Sequence, residues 1–148
     1  MNKEKTLQSI LNAKKAHESQ MQKINTALDG GDVNNPTALS KTECDFGSWL
    51  YDEHNNLRKV LGSLFYDKLE LLHAKWHQEY INVFEILFKK EKKKGFFSKF
   101  TKTAKISEMD MDKVKLYHLE LKTTTKELLQ SIDASHRRLM ALQEAKFE

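Results

Sequence analysis

The sequence predicts an all-α chain folded as an antiparallel helical bundle, and three observations carry that reading. Helix breakers are scarce: one proline, Pro36, and five glycines, Gly30, Gly31, Gly47, Gly62 and Gly95, in 148 residues, which leaves three long stretches nearly free of them. Each stretch spaces its apolar residues three and four apart, the repeat of one helical face. No run alternates apolar and polar residues as a half-buried strand would, and no internal repeat or low-complexity tract competes. Three long amphipathic helices and a short one bury their apolar stripes most simply against one another in a single domain (residues 1–148), long enough to need no disulfide.

The first helix is expected from about Lys3 to Leu28, with Leu7, Ile10, Lys14, His17, Met21, Ile24 and Leu28 on one stripe. Lys14 is its weak member, and Leu11 can cover for it. Asp29-Gly30-Gly31 supplies residues suited to a positive φ at the helix end, followed by a loop containing Asn34-Asn35-Pro36. A short helix is expected to begin near Ser40 and to carry Cys44 to Tyr51. The second long helix begins near Asn56 and runs to about Lys90, with Leu61, Leu64, Phe65, Leu69, Leu72, Trp76, Tyr80, Phe84 and Leu87 on one side. Gly62 reads as a bend or close contact inside it, costing about 1 kcal/mol relative to alanine. The third long helix starts at "SEMD", with Ser107 as N-cap and Asp110 three residues on. Its stripe is Val114, Tyr117, Leu121, Thr124, Leu128, Ile132, Ser135, Leu139 and Leu142.

The net charge of +4 does not point to nucleic acid. Eight lysines and one glutamate between Lys89 and Lys105 contribute +7, so the remainder of the chain is acidic by 3. A nucleic-acid module spreads its cations along an element, interleaved with stacking aromatics. The most apolar run, "YINVFEILF" at residues 80–88, is short and contains Asn82 and Glu85, which argues against a spanning helix, and no apolar leader follows the first lysines. A single cysteine, Cys44, cannot form an internal disulfide. The expectation is a cytoplasmic chain whose thiol is free or bound to a metal.

The histidines favour the metal. His17 lies on the first stripe, and "HAKWH" sets His73 and His77 one turn apart on the second, beside Leu72, Trp76 and Tyr80. Taken alone, each is as readily a core histidine. Three on inward stripes beside the only cysteine fit zinc, which takes nitrogen and sulfur donors that a bundle core can bring together from different helices. His54, His118 and His136 read as solvated surface.

On these residues the sequence resembles the chemoreceptor zinc-binding (CZB) domain of bacterial signalling proteins. The shared pattern is His17, a gap of 26 residues, "CDFGSW" from Cys44 to Trp49, 23 further residues, and "HAKWH". Gln20 departs from it, since the family usually has an aromatic or leucine there. The resemblance implies an antiparallel four-helix bundle with a short extra helix carrying the cysteine ligand, and one zinc ion held by His17, Cys44, His73 and His77. It implies Phe46, Trp49 and Trp76 as packing around the site and Gly47 as a close approach to a neighbouring helix. Asp45 and Asp52 stand as hydrogen-bonding partners of the ligands. It further implies a homodimer, with a chemoreceptor or diguanylate cyclase partner acting in trans, since no output domain is visible in the sequence.

Four protein ligands close a tetrahedral zinc to water and substrate, which argues against an enzyme. Ala74 also stands where a zinc protease needs the glutamate after its first histidine. Nothing resembles a nucleophile triad, a phosphate-binding loop or a dinucleotide fingerprint, and "DGGD" at residues 29–32 is a helix stop. Two functions remain open. One is a sensor of zinc or of an oxidant such as hypochlorous acid, because a zinc-bound thiolate is the form oxidants attack. The other is a structural zinc bundle that docks to an acidic protein or an anionic membrane surface through the basic segment 89–106, with Lys93, Lys94, Phe96, Phe97 and Phe100 as contacts. For that segment the bland reading weighs more: a solvated connection whose phenylalanines fold back on the bundle end.

Overall fold

The computed structural model describes residues 2–88 and 106–148. The Lys/Phe-rich segment, with Lys93, Lys94, Phe96, Phe97 and Phe100, lies outside the described residues. The described chain is all-helical: α1 Lys3–Leu28, α2 Asp45–Leu50, α3 Leu57–Leu61, α4 Ser63–Leu87 and α5 Glu108–Ala141, with short 3-10 turns at Glu53–Asn55 and Glu144–Phe147.

Local chemistry sets most boundaries. Asn2 caps α1 by accepting the Lys5 N–H, and Gly30 at φ +84° follows its end. The Ser107 hydroxyl accepts the Asp110 N–H at 3.1 Å and starts α5 where the sequence places it. Lys14 is neither buried nor replaced by Leu11, which is 37% exposed. It pairs with Asp133 of α5 at 2.9 Å, and Ala13 completes the buried stripe instead.

The expected continuous helix from Asn56 is broken. Gly62 has φ +87° and ψ 150°, closes α3 and starts α4. Arg138 of α5 donates through Nε to the Leu61 carbonyl and lies over the Phe65 ring at 5.0 Å. A carbonyl near the break therefore finds a partner on the facing helix. The break also resets the face of α4. Leu64, placed on the inward stripe by the sequence reading, is 79% exposed, while Leu69, Leu72, His73, Trp76, His77, Tyr80, Val83, Phe84 and Leu87 are buried.

The α5 helix is the spine. Phe65 meets Arg138, Trp76 meets Thr125 and Glu79 meets Thr124, so α4 runs opposite to α5. Lys3 reaches the carbonyl of Leu142, Lys14 meets Asp133 and Met21 meets Thr125, so α1 does the same. The α4–α5 interface is the largest and α1–α5 is next, with α1 and α4 touching only sparsely. That sparse contact is where the histidines face one another.

Gly62→Ala discriminates between a break and a bend. With φ at +87°, alanine should destabilise the protein by about 1–3 kcal/mol in urea unfolding, whereas a helix running through residue 62 would gain about 1 kcal/mol.

Candidate metal centre

Two of the three histidines, His17 and His77, reach the centre with the tautomer decided. His17 Nδ1 lies 3.0 Å from the Ala13 carbonyl and His77 Nδ1 lies 2.9 Å from the Leu39 carbonyl. A carbonyl only accepts, so both Nδ1 atoms carry the proton and both Nε2 atoms keep a lone pair. His77 Nε2 and His73 Nδ1 are buried with no hydrogen-bond partner among the described residues. Ring nitrogens of His17, His73 and His77 lie within 4.8 Å of one another.

Cys44 joins the group through His73, whose Nε2 is 3.2 Å from Sγ. Tetrahedral zinc with Zn–N of about 2.0–2.1 Å and Zn–S of about 2.3 Å requires donors roughly 3.3–3.6 Å apart. The Cys44–His73 pair is already near that spacing. The residues present fit a zinc ion: three buried imidazoles form one cluster, His77 Nε2 in it has no partner among the described residues, and the sulfur stands beside His73 Nε2.

The segment bearing Cys44 differs from the expectation. The helix α2 starts at Asp45, not near Ser40, and Cys44 is its N-cap, with Sγ accepting the Gly47 N–H at 3.2 Å. Sulfur thus takes the place usually held by a serine or aspartate oxygen. A Cβ on Gly47 would lie 1.6 Å from the Lys41 carbonyl oxygen, so the close approach is to the lead-in turn of the same segment, not to a neighbouring helix. The segment is strapped along α4 by four side chains on one helical face. Glu70 holds Lys41 at 2.8 Å, His73 meets Cys44, His77 takes the Leu39 carbonyl, and the Tyr80 hydroxyl donates to the Thr37 carbonyl at 3.2 Å.

Aromatic rings wall the centre. Phe46, buried, sets its edge or face against His17 at 5.4 Å and His73 at 4.7 Å. Trp76 meets His17 at 5.2 Å and His77 at 5.1 Å, and its indole N–H donates to Thr125 Oγ1 at 2.8 Å. Trp49 packs on Phe46 at 5.8 Å from the outer side. Asp45 is exposed in the first turn of α2, and Asp52 accepts the His54 N–H and pairs with the His54 ring, so its Oδ1 is engaged away from the four donors. His54 is solvated, but His118 and His136 are half-buried, contrary to the surface reading, and His118 Nε2 is enclosed.

Burial sets the protonation. It pushes His17 down to about 4 and His73 to about 2, the latter reinforced by the neighbouring imidazoles, and it lowers His77. It raises the Cys44 thiol, against which the Gly47 N–H works. Near neutral pH the nitrogens are therefore ready to donate, and the thiol would give up its proton as a metal bound. A cleft of about 150 Å³ lined by His17, Cys44, Phe46, Glu43 and Asp45 connects the sulfur with the surface. Sequence reading missed Lys41 and Glu70 and gave Tyr51 and Tyr80 no part in holding the cysteine segment, although the spacing of Glu70 and Tyr80 from His73 and His77 marks the same face of α4.

Residues 17–84 match the family model described as the chemoreceptor zinc-binding domain. The match begins at His17 and takes in Cys44, His73 and His77. No curated protein and no solved structure matches the chain.

Gly47→Ala should destabilise the protein by at least about 1–3 kcal/mol in urea unfolding, because the added carbon meets backbone that cannot rotate away. Unchanged stability would show that α2 does not pack on its lead-in turn.

Proposed function

Because the chain carries a chemoreceptor zinc-binding domain across residues 17–84, a family of regulatory rather than catalytic modules, we propose that it binds one zinc ion through His17, Cys44, His73 and His77 and regulates a signalling partner. The observation that carries this reading is the meeting of three neutral, buried imidazoles with the chain's one sulfur, two of the nitrogens lacking any partner among the described residues. The antiparallel four-helix arrangement belongs to the proposal, with α1, α4 and α5 as three of its helices and the α2–α3 unit packed beside them. So do a cytoplasmic setting, a homodimer, and an output partner of the chemotaxis or cyclic-di-GMP type acting in trans.

The proposed signal is an oxidant met at Cys44. Bound zinc would hold the cysteine as thiolate, the nucleophilic form. With hypochlorous acid the sulfur gives up two electrons and becomes a sulfenic acid, while chlorine leaves as chloride and the oxygen and proton of the acid pass to sulfur. Two features support this target. The cleft beside Cys44 reaches the surface, and the same sulfur caps α2. Oxidation would therefore weaken a metal ligand and a helix cap together, loosening the unit that seats Phe46 against His17 and His73.

One equivalent of hypochlorous acid should release zinc from the purified protein, followed with a coloured chelator. Cys44→Ala should bind zinc at least tenfold more weakly, as loss of a ligand exceeds the roughly 10–100-fold cost of losing an outer hydrogen bond. Unaltered zinc affinity in that variant would remove Cys44 from the ligand set, and oxidation of Cys44 without zinc release would leave the ion a structural role only.

A further inference from the structure

Glu70 sits on α4 one turn before His73 and half-buried. One oxygen of its carboxylate, Oε1, receives two donors: the Lys41 ammonium at 2.8 Å and the Tyr51 hydroxyl at 3.1 Å. Lys41 lies three residues before Cys44, and Tyr51 is the C-cap of α2, seven residues after it. The Lys41 ammonium also stands over the Tyr51 ring at 5.3 Å. Both flanks of the cysteine unit are therefore gathered at a single point on the helix that carries His73 and His77. The spacing matches on the two sides, since Lys41 to Cys44 and Glu70 to His73 are each three residues.

We propose that Glu70 is the positioning residue of Cys44: through Lys41 and Tyr51 it fixes where the sulfur stands relative to His73. This rests on the reading of Cys44 as a zinc ligand. An isolated, partly exposed ion pair does little for stability, but here the pair and the tyrosine restrict one segment from both ends, which is what a preorganised ligand requires. The anchor is independent of the sulfur. It holds the unit in place before a metal arrives.

The test uses the full chain loaded with cobalt(II) in place of zinc, reading the thiolate-to-cobalt charge-transfer absorption together with zinc affinity by chelator competition. Wild type should show the sulfur band. E70A should lose most of it and bind zinc about tenfold more weakly, the range for removing an outer support of a metal ligand. E70Q keeps an acceptor for the tyrosine and should recover most of the band. D67A breaks the exposed Arg58–Asp67 pair on the same helix and should match wild type, which separates positioning from general loss of stability. If E70A does not fold, the double variant Lys41→Met with Tyr51→Phe removes both donors and should reproduce the effect. An E70A protein with full band and affinity overturns the proposal, as does an equal fall in E70A and D67A. Absence of a sulfur band in metal-loaded wild type instead overturns the ligand reading beneath it.

Discussion

Imidazole rings packed with centroids 4.7 Å apart between His73 and His77, and 5.4 Å between His17 and His73, cannot all be charged inside a wall of Phe46 and Trp76. Burial and mutual repulsion keep them neutral, and neutrality leaves each with a lone pair. A buried nitrogen without a partner is costly unless something occupies it. The backbone carbonyls of Ala13 and Leu39 take the protons of His17 and His77 and turn their other nitrogens inward. The remainder of the fold can be understood as the means of holding these rings and one sulfur at a common point.

That holding depends on α5, which carries none of the four donors. Because α1 and α4 each lie opposite to it, they are parallel to each other, and their histidine faces converge where their direct contact is slight. The Thr125 hydroxyl receives the Trp76 indole, donates to the Leu121 carbonyl and lies 3.3 Å from Met21 of α1, so one residue of the spine touches both histidine-bearing helices. The fourth donor arrives from a loop. Thr37, Leu39 and Lys41 are fastened to Tyr80, His77 and Glu70, and this delivers Cys44 to His73.

Local signals located the three long helices, the end of α1 at Asp29-Gly30 and the Ser107 cap: stripe spacing, residues suited to a positive φ and an oxygen placed for a free N–H. The inward positions of His17, His73 and His77 were legible for the same reason. What failed was non-local. The break at Gly62 is matched by Arg138, which no nearby residue announces, and with that break the exposure of Leu64 could not be read. The start of α2 was misplaced because a cysteine is not an expected cap, and the meaning of Gly47 lay in a turn three residues upstream of Cys44. Lys41, Tyr51 and Glu70 each look like ordinary surface residues in the chain, and only their meeting point gives them a role.

The most direct test of the account is X-ray absorption at the zinc edge on the purified full chain. The account predicts one zinc per chain with one sulfur at about 2.3 Å and three nitrogens at about 2.0–2.1 Å. A zinc shell of oxygen and nitrogen without sulfur, or a protein that retains no metal when zinc is supplied, would contradict it.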